Sequence, residues 1–187
     1  SGEGNPRNVD AWLSNRSPSF DPYWDDDQCN RSVHGAPAQA ALQLERSSRK
    51  TSVTLVDVSC SGATMQKGIL GPQLRGMKSQ IEAVNDLVKG RDIDAIVMSA
   101  GGNDVGFGSI LTSCALQSNC PLATTTTPPL SAYPTMQTGV QALTAELPTG
   151  YSLINKCFTD STCTGAQNQS LPGLSLSPIG QVFLNSY

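Results

Sequence analysis

Two apolar, β-branched segments flank an amphipathic one, and this order constrains the fold more than any other feature of the sequence. TSVTLVDVSC (51–60) and IDAIVMSA (93–100) predict strands. Between them, PQLRGMKSQIEAVNDLVKG (72–90) repeats apolar residues at three- and four-residue steps, which predicts a helix. A strand, a helix and a second strand in succession imply a right-handed βαβ unit and therefore an α/β fold with a parallel sheet.

The other segments predict more helices than strands. Helical patterns occupy 37–46, where a proline stands in the first turn, and 133–147, and GSILTSCALQ (108–117) predicts a short helix. QVFLNSY (181–187) predicts a third strand, whereas residues 148–178 show little periodicity. The sequence contains no internal repeat and no domain linker, so we interpret residues 1–187 as a single domain.

The composition and the net charge argue against some classes of binding partner. Charged residues make up 14% of the chain and the net charge is −3, whereas a typical chain is about a quarter charged. Lys and Arg form no cluster of more than two or three residues, so nucleic acid is not an expected partner. No apolar run reaches the ~18 residues that span a membrane, so no transmembrane segment is expected.

Six cysteines occur without a CxxC pair and with a single histidine, which favours disulfides in an oxidising compartment over a zinc site. They are Cys29, Cys60, Cys114, Cys120, Cys157 and Cys163. Six cysteines allow 15 pairings. The last four form two close pairs, each able to staple a local loop, which would leave the first two for each other. Six buried free thiols in a cytosolic protein are the alternative.

Two loops follow the predicted parallel strands at their carboxyl ends, where such sheets place ligands. CSGAT (60–64) follows the first strand and GGND (101–104) follows the second. Gly62 has no side chain, so its backbone N–H can approach a ligand closely, and Asn103 offers a side-chain amide donor. Together they could hold a developing negative oxygen, as an oxyanion hole does. The alternative is a pair of ordinary turns, in which glycine and asparagine are common.

CSGAT followed by GGNDVGF resembles the SGNH hydrolase family, the GDSL esterases and lipases. Four short blocks carry catalysis in that family: Gly-Asp-Ser with the nucleophile, a block that supplies a Gly, Gly-x-Asn-Asp, and Asp-x-x-His. Gly62 matches the second block and Asn103 the third, so the resemblance implies that both are oxyanion-hole donors. It also implies a flavodoxin-like, three-layer fold in which a parallel sheet is flanked by helices.

CNRS followed by the APAQAAL helix, residues 29–42, is similar to secreted members of the family. In those relatives the cysteines pair in sequence order, which implies the disulfides Cys29–Cys60, Cys114–Cys120 and Cys157–Cys163. The resemblance thus implies a secreted or extracytoplasmic carboxylic-ester hydrolase, an esterase or lipase, that needs no metal or organic cofactor. Its substrate would be a small-molecule, lipid or acylated-sugar ester, and the complete protein would be a monomer.

Two of the family's blocks are missing, because the sequence contains neither Gly-Asp-Ser nor Asp-x-x-His. The opening SGEGN looks like the end of the first block, so we interpret the chain as an internal fragment that is inactive by itself. A non-catalytic SGNH-like module that binds carbohydrate or a partner is the alternative, and the gene sequence on either side would discriminate the two. A nucleotide-binding domain is a third and less favoured hypothesis, since GGNDVGFG lacks the G-x-G-x-x-G spacing.

Other polar residues receive structural interpretations. Asp104 is expected to brace its loop by hydrogen bonds and not to serve as the acid of a triad. His34 precedes a helix start, where relatives often carry an aromatic, and is interpreted as a partly exposed structural residue. Ser61 has no G-x-S-x-G elbow around it and is assigned to loop structure. The acidic run Asp25–Asp27 is expected to be solvated and not to bind a cation.

The fragment interpretation has a structural consequence. In the family, the Gly-Asp-Ser strand lies at the sheet centre, between the strands predicted here at 51–59 and 93–100. Without that neighbour, each strand would present unpaired backbone along an edge. We therefore expect this stretch alone to be unstable or prone to aggregation.

Overall fold

The computed structural model describes residues 26–33 and 35–185. The chain divides into two compact units, Ser1–Gly62 and Ala63–Tyr187. Within the described residues the fold is mixed α/β, with four α-helices, one parallel pair of strands and one antiparallel pair. The predicted α/β class agrees with this content. None of the described helices is long and apolar enough to cross a membrane.

The first unit contains one described helix, α1 (Ala36–Ser47). It begins after Gly35 with Pro37 in its first turn, a position where the missing proline N–H has no helical partner to lose. This helix confirms the one predicted at 37–46. None of its residues is buried, so its apolar side chains form no core among the described residues of this unit.

The strand predicted at 51–60 is wrong, because within the described residues this segment pairs with no other strand. Its β-branched residues favour extended backbone, but a strand also needs a neighbour that supplies ladder hydrogen bonds. Other links hold its end: the Arg31 guanidinium donates to the carbonyl oxygen of Ser59 at 3.0 Å, and Cys60 is bonded to Cys29. A side chain and a disulfide thus hold the end of a segment that has no ladder.

The second unit begins with turns and then a helix, α2 (Gln80–Val88), which is shorter than the one predicted at 72–90. Ser79 Oγ accepts the N–H of Glu82 at 3.2 Å, and the Glu82 carboxylate accepts the N–H of Ser79 at 3.0 Å. This capping box fixes the first turn of the helix. Upstream, Gly76 has a φ of 86°, which a right-handed helix does not allow.

Strand β1 (Ile93–Ser99) and helix α3 (Phe107–Leu116) follow, with the GGND loop between them. They confirm the strand predicted at 93–100 and the short helix predicted at 108–117. The loop therefore joins a strand end directly to a helix start.

Helix α4 (Met136–Thr159) is much longer than the helix predicted at 133–147. It continues through Pro148, although a proline inside a helix removes one backbone hydrogen bond. Beyond the proline, Tyr151 packs against the core and Ile154 is fully buried within it. The burial of this second half offsets the lost hydrogen bond.

Strands β2 (Thr162–Thr164) and β3 (Ser170–Pro172) form an antiparallel pair that the sequence does not predict. Each has only three residues, too few for a periodic pattern. Cys163 on β2 is bonded to Cys157 near the end of α4, so a covalent link holds this pair against the helix.

The last strand, β4 (Leu176–Asn185), pairs in parallel with β1 and places Val97 opposite Phe183. It confirms the strand predicted at 181–187 but begins earlier, and residues 186 and 187 lie outside the described part. Among the described residues β1 pairs with β4 alone, so the three-layer parallel sheet and the expected instability of this stretch both stay predictions.

One buried cluster lies at the centre of the second unit, and β1 packs against it through Ile96 and Met98. The opposite face of β1 is open, since Val97 is 70% exposed. Ala100, directly after β1, is buried in the cluster, so the loop that follows starts from a fixed point. The other buried members are Met65, Ile69, Leu70, Ile81, Ile154, Cys157, Cys163, Leu171 and Leu174.

All three disulfides implied by the resemblance are present: Cys29–Cys60, Cys114–Cys120 and Cys157–Cys163. They are consistent with a secreted, disulfide-bonded protein, because such bonds persist in oxidising compartments.

Candidate functional site

The loop after β1 is a compact, hydrogen-bonded turn. Gly101 has a φ of 104°, in the region that favours glycine. The N–H of Val105 donates to the Gly101 carbonyl at 3.1 Å, and the N–H of Phe107 donates to the Gly102 carbonyl at 2.9 Å. The last loop residue, Gly106, caps α3 with a φ of 79°. The loop backbone is therefore fixed at its beginning and at its end.

Asn103 lies near the middle of this turn, and its side chain is exposed. Its Nδ2 donates a hydrogen bond to the carbonyl oxygen of Ala63 at 2.9 Å. A carbonyl oxygen only accepts, so the nitrogen side of the amide must face Ala63. The bond uses one of the two Nδ2 hydrogens and fixes the plane of the amide.

Asp104, the next residue, is also bonded to the segment that follows Gly62. Its Oδ1 accepts the main-chain N–H of Met65 at 3.0 Å. Its Oδ2 is buried and has no hydrogen-bond partner among the described residues. Two consecutive side chains of the GGND loop thus bind two backbone groups of the segment 63–65, one as donor and the other as acceptor.

The segment that receives these bonds is itself ordered. The N–H of Thr64 donates to the Lys67 carbonyl at 2.8 Å, and the N–H of Leu70 donates to the Met65 carbonyl at 2.9 Å. Met65 is 2% exposed and belongs to the core. The side chains of Asn103 and Asp104 therefore bind a backbone that is already held in place.

Gly62, the second predicted donor, is the last residue of the first unit. Its φ is 76°, so the position favours glycine over any residue with a Cβ. The residue before it, Ser61, donates its N–H to the Cys29 carbonyl at 3.0 Å, next to the disulfide between Cys29 and Cys60. The polypeptide that leads to Gly62 is held by these two links.

The other candidates are the single histidine and the acidic run at 25–27. His34 and Asp25 lie outside the described residues. Asp26 caps a turn, since its Oδ1 accepts the N–H of Gln28 at 2.9 Å and its Oδ2 forms an ion pair with Arg31. Residues 26–33 and 35–185 contain no group of three or more His, Cys, Asp or Glu side chains that could hold a metal ion.

Tyr151, on α4, binds the residue that precedes the loop, and it is not among the site residues predicted from the sequence. Its hydroxyl donates to the carbonyl oxygen of Ala100 at 2.8 Å. Burial and then the negative charge of Asp104 raise the pKa of Tyr151 above its ordinary value, so the phenol stays a protonated donor at neutral pH. The signal available in the sequence is the helical spacing of Leu147, Tyr151 and Ile154, which Pro148 obscures.

The geometry defines a pair of hydrogen-bonded turns in the second unit. One presents an exposed, oriented amide at Asn103, and the other is anchored in the core through Met65. Comparison of the chain with known protein families, curated proteins and solved structures finds no match.

Proposed function

We propose that this chain supplies the oxyanion-stabilising part of a secreted carboxylic-ester hydrolase of the SGNH type. In this proposal the Gly62 N–H and the Asn103 side-chain amide donate to the oxygen that becomes negative when an ester carbonyl is attacked. The observation that carries the proposal is the pair of hydrogen bonds from Asn103 and Asp104 to the segment 63–65. The first bond reaches Ala63, the residue that follows Gly62 in the sequence, and the second reaches Met65.

The state of the Asn103 amide supports this role. An oxyanion donor works best when it is oriented before the reaction, because no free energy is then spent on turning it in the transition state. The bond to the Ala63 carbonyl orients the amide, and the side chain is exposed, so a substrate has access to it. The second Nδ2 hydrogen is outside that bond and is the one assigned to the oxyanion.

The bond changes of the proposed reaction are those of serine acyl transfer. A serine Oγ forms a bond to the ester carbon, the carbonyl π electrons move to oxygen, and a histidine accepts the serine proton. The intermediate then expels the alcohol, which takes that proton, and water later releases the acid. The nucleophilic serine and the histidine base of this scheme belong to blocks that the 187 residues do not contain. The role proposed for this chain is therefore limited to the donors.

Three further features support the proposal without identifying the substrate. The three disulfides fit a secreted protein. The parallel pairing of β1 with β4 fits the flavodoxin-like sheet of the family. The exposed apolar residues on α3 include Phe107, the first residue after the loop, and Leu111, one helical turn later, and such side chains suit an acyl group. We therefore propose a small-molecule, lipid or acylated-sugar ester as substrate, hydrolysed without a metal or organic cofactor.

The experiment uses the protein expressed from the whole gene that contains these residues, hereafter the whole-gene protein. It is incubated with p-nitrophenyl esters of short and long acids and with a fluorophosphonate probe that labels activated serines. We expect ester hydrolysis that the probe abolishes, with one labelled serine. Binding to a carbohydrate array without hydrolysis or labelling would instead support a non-catalytic module and reject the hydrolase.

A further inference from the structure

Tyr151 lies in the second half of α4 and reaches the loop from outside it. Its hydroxyl donates to the Ala100 carbonyl, 51 residues earlier in the chain, at 2.8 Å. Ala100 is 7% exposed, and a buried carbonyl without a donor is costly. The hydroxyl therefore satisfies the last backbone oxygen before the loop begins.

Gly101 provides the space that this hydroxyl needs. A Cβ built on Gly101 would lie 2.8 Å from the Tyr151 hydroxyl oxygen and 3.6 Å from Leu147 Cδ1. Its φ of 104° also disfavours every residue that has a Cβ. The glycine and the tyrosine are thus matched, since the one leaves open the volume that the other fills.

Backbone hydrogen bonds in the loop couple the position of Ala100 to that of Asn103. The Gly101 carbonyl accepts the Val105 N–H at 3.1 Å, and the Asn103 carbonyl accepts the Gly106 N–H at 3.1 Å. These bonds make the loop one closed turn, with Asn103 between its two ends. A displacement at Ala100 would therefore rotate the turn and the amide that it carries.

We propose that Tyr151 is a positioning residue, whose hydroxyl holds the Ala100 carbonyl and thereby orients the turn that presents the Asn103 amide. The inference deepens the proposed ester hydrolysis and rests on it for its kinetic consequence. The effect of Tyr151 on the loop geometry does not depend on the proposed function. Tyr151 touches no reacting atom in this assignment.

The test compares Tyr151→Phe with Tyr133→Phe in the whole-gene protein. Tyr133 serves as the control because, like Tyr151, it is a half-buried tyrosine of the second unit, whereas the hydrogen bond to Ala100 comes from Tyr151. Hydrogen exchange is followed at the Val105, Gly106 and Phe107 amides and at Leu174, whose N–H bonds to the Cys157 carbonyl in the core. We expect about tenfold faster exchange at the three loop amides in Tyr151→Phe alone. The rate at Leu174 should stay unchanged.

Two non-natural side chains at position 151 separate the hydrogen bond from the size of the residue, and they serve also where the Phe variant does not fold. 4-Fluorophenylalanine fills the space of tyrosine without a donor and should exchange like Tyr151→Phe. 4-Aminophenylalanine keeps an N–H donor and should restore protection. Equal exchange rates in the loop for the two variants would overturn the inference.

The kcat of Tyr151→Phe is then compared with that of Asn103→Ala. If the proposed function holds, Tyr151→Phe lowers kcat about tenfold with KM nearly unchanged, because misplacement of a donor costs less than its removal. Unchanged exchange at the loop amides overturns the positioning role, whatever Asn103→Ala does. Faster loop exchange together with full turnover in Asn103→Ala supports the positioning role and rejects the proposed function.

Discussion

The main-chain N–H of Met65 donates a hydrogen bond of 3.0 Å to the carboxylate of Asp104, 39 residues further along the chain. Met65 is 2% exposed, so its amide has no ready access to water as a substitute partner. A hydrogen bond to a charged acceptor is stronger than one between neutral groups. This contact fixes the GGND loop to the core of the second unit, and the candidate donor Asn103 lies directly beside it.

Removal of the Asp104 carboxylate should destabilise the protein. Asp104→Ala leaves the buried Met65 N–H without its acceptor, and we expect the free energy of unfolding to fall by about 1 to 3 kcal/mol. Asp104→Asn keeps an oxygen acceptor and should lose less. Urea unfolding of the whole-gene protein measures the change, with Asp94→Ala as control, because Asp94 is exposed on β1. Equal stability of Asp104→Ala and the control would contradict this account of the loop.

Gly101, at the start of the loop, and Gly108, in the helix that follows it, should respond oppositely to alanine. At Gly101 a Cβ would meet the Tyr151 hydroxyl at 2.8 Å, and φ is 104°, so Gly101→Ala should cost about 1 to 3 kcal/mol. At Gly108, in the first turn of α3, nothing lies within 4 Å of the added Cβ, so Gly108→Ala should be neutral or stabilise by about 0.5 to 1 kcal/mol. Thermal melts of both variants decide this, and a more stable Gly101→Ala would refute the geometry.

The two short disulfides should differ in their contribution to stability. Both span a sequence separation of 6, so the chain-entropy contribution is nearly equal, at roughly 2 to 3 kcal/mol. Cys157 is 0% exposed and Cys163 7% exposed, whereas Cys114 is exposed. The Cys157→Ala/Cys163→Ala variant should therefore lose at least ~1 kcal/mol more than Cys114→Ala/Cys120→Ala, because it also loses core packing. Equal losses in urea unfolding would show that packing at the inner disulfide adds nothing.

Alkaline pH should weaken the contribution of Tyr151. Burial and then the charge of Asp104 raise the pKa of Tyr151 above 10.0, so as pH rises the unfolded chain loses this proton before the folded one does. The stability that Tyr151 contributes is therefore complete below pH 10.0 and decreases as pH rises further. The gap in unfolding free energy between the unmodified protein and Tyr151→Phe should narrow above that pH. A gap that widens above pH 10.0 would mean that folding lowers the pKa of Tyr151, which would contradict this account.

Local sequence patterns identify most elements of this fold but not all of their partners and limits. Residues 93–100 and 51–60 have similar strand propensity, yet within residues 26–33 and 35–185 only the first forms a ladder, because pairing depends on a neighbour and not on the segment itself. The helix predicted from residue 72 begins at Gln80, although the Ser79-x-x-Glu82 capping box was readable in the sequence. Pro148 hid the second half of α4, whose burial depends on tertiary packing.

In the candidate site too, some residues could be predicted from the sequence and others could not. Gly62, Asn103 and Asp104 could be selected from the sequence, because each lies in a short motif after a predicted strand. The contribution of Tyr151 could not, since its contact with Ala100 spans 51 residues and no local pattern encodes it. The choice of Ala63 and Met65 as backbone partners likewise depends on the folded chain.

The most direct test of the central claim is the turnover of Asn103→Ala in the whole-gene protein, on the p-nitrophenyl ester that it cleaves fastest. Asn155→Ala is the matched control, because Asn155 is an exposed asparagine on α4. Loss of one oxyanion donor lowers kcat by roughly 10² to 10³, so we expect that loss for Asn103→Ala and full activity in the control. Asn103→Ala also loses the exposed hydrogen bond to Ala63, so its free energy of unfolding should fall by about 1 kcal/mol, too little to unfold the protein. Equal kcat in Asn103→Ala and the unmodified protein would contradict the assignment of Asn103 to the oxyanion.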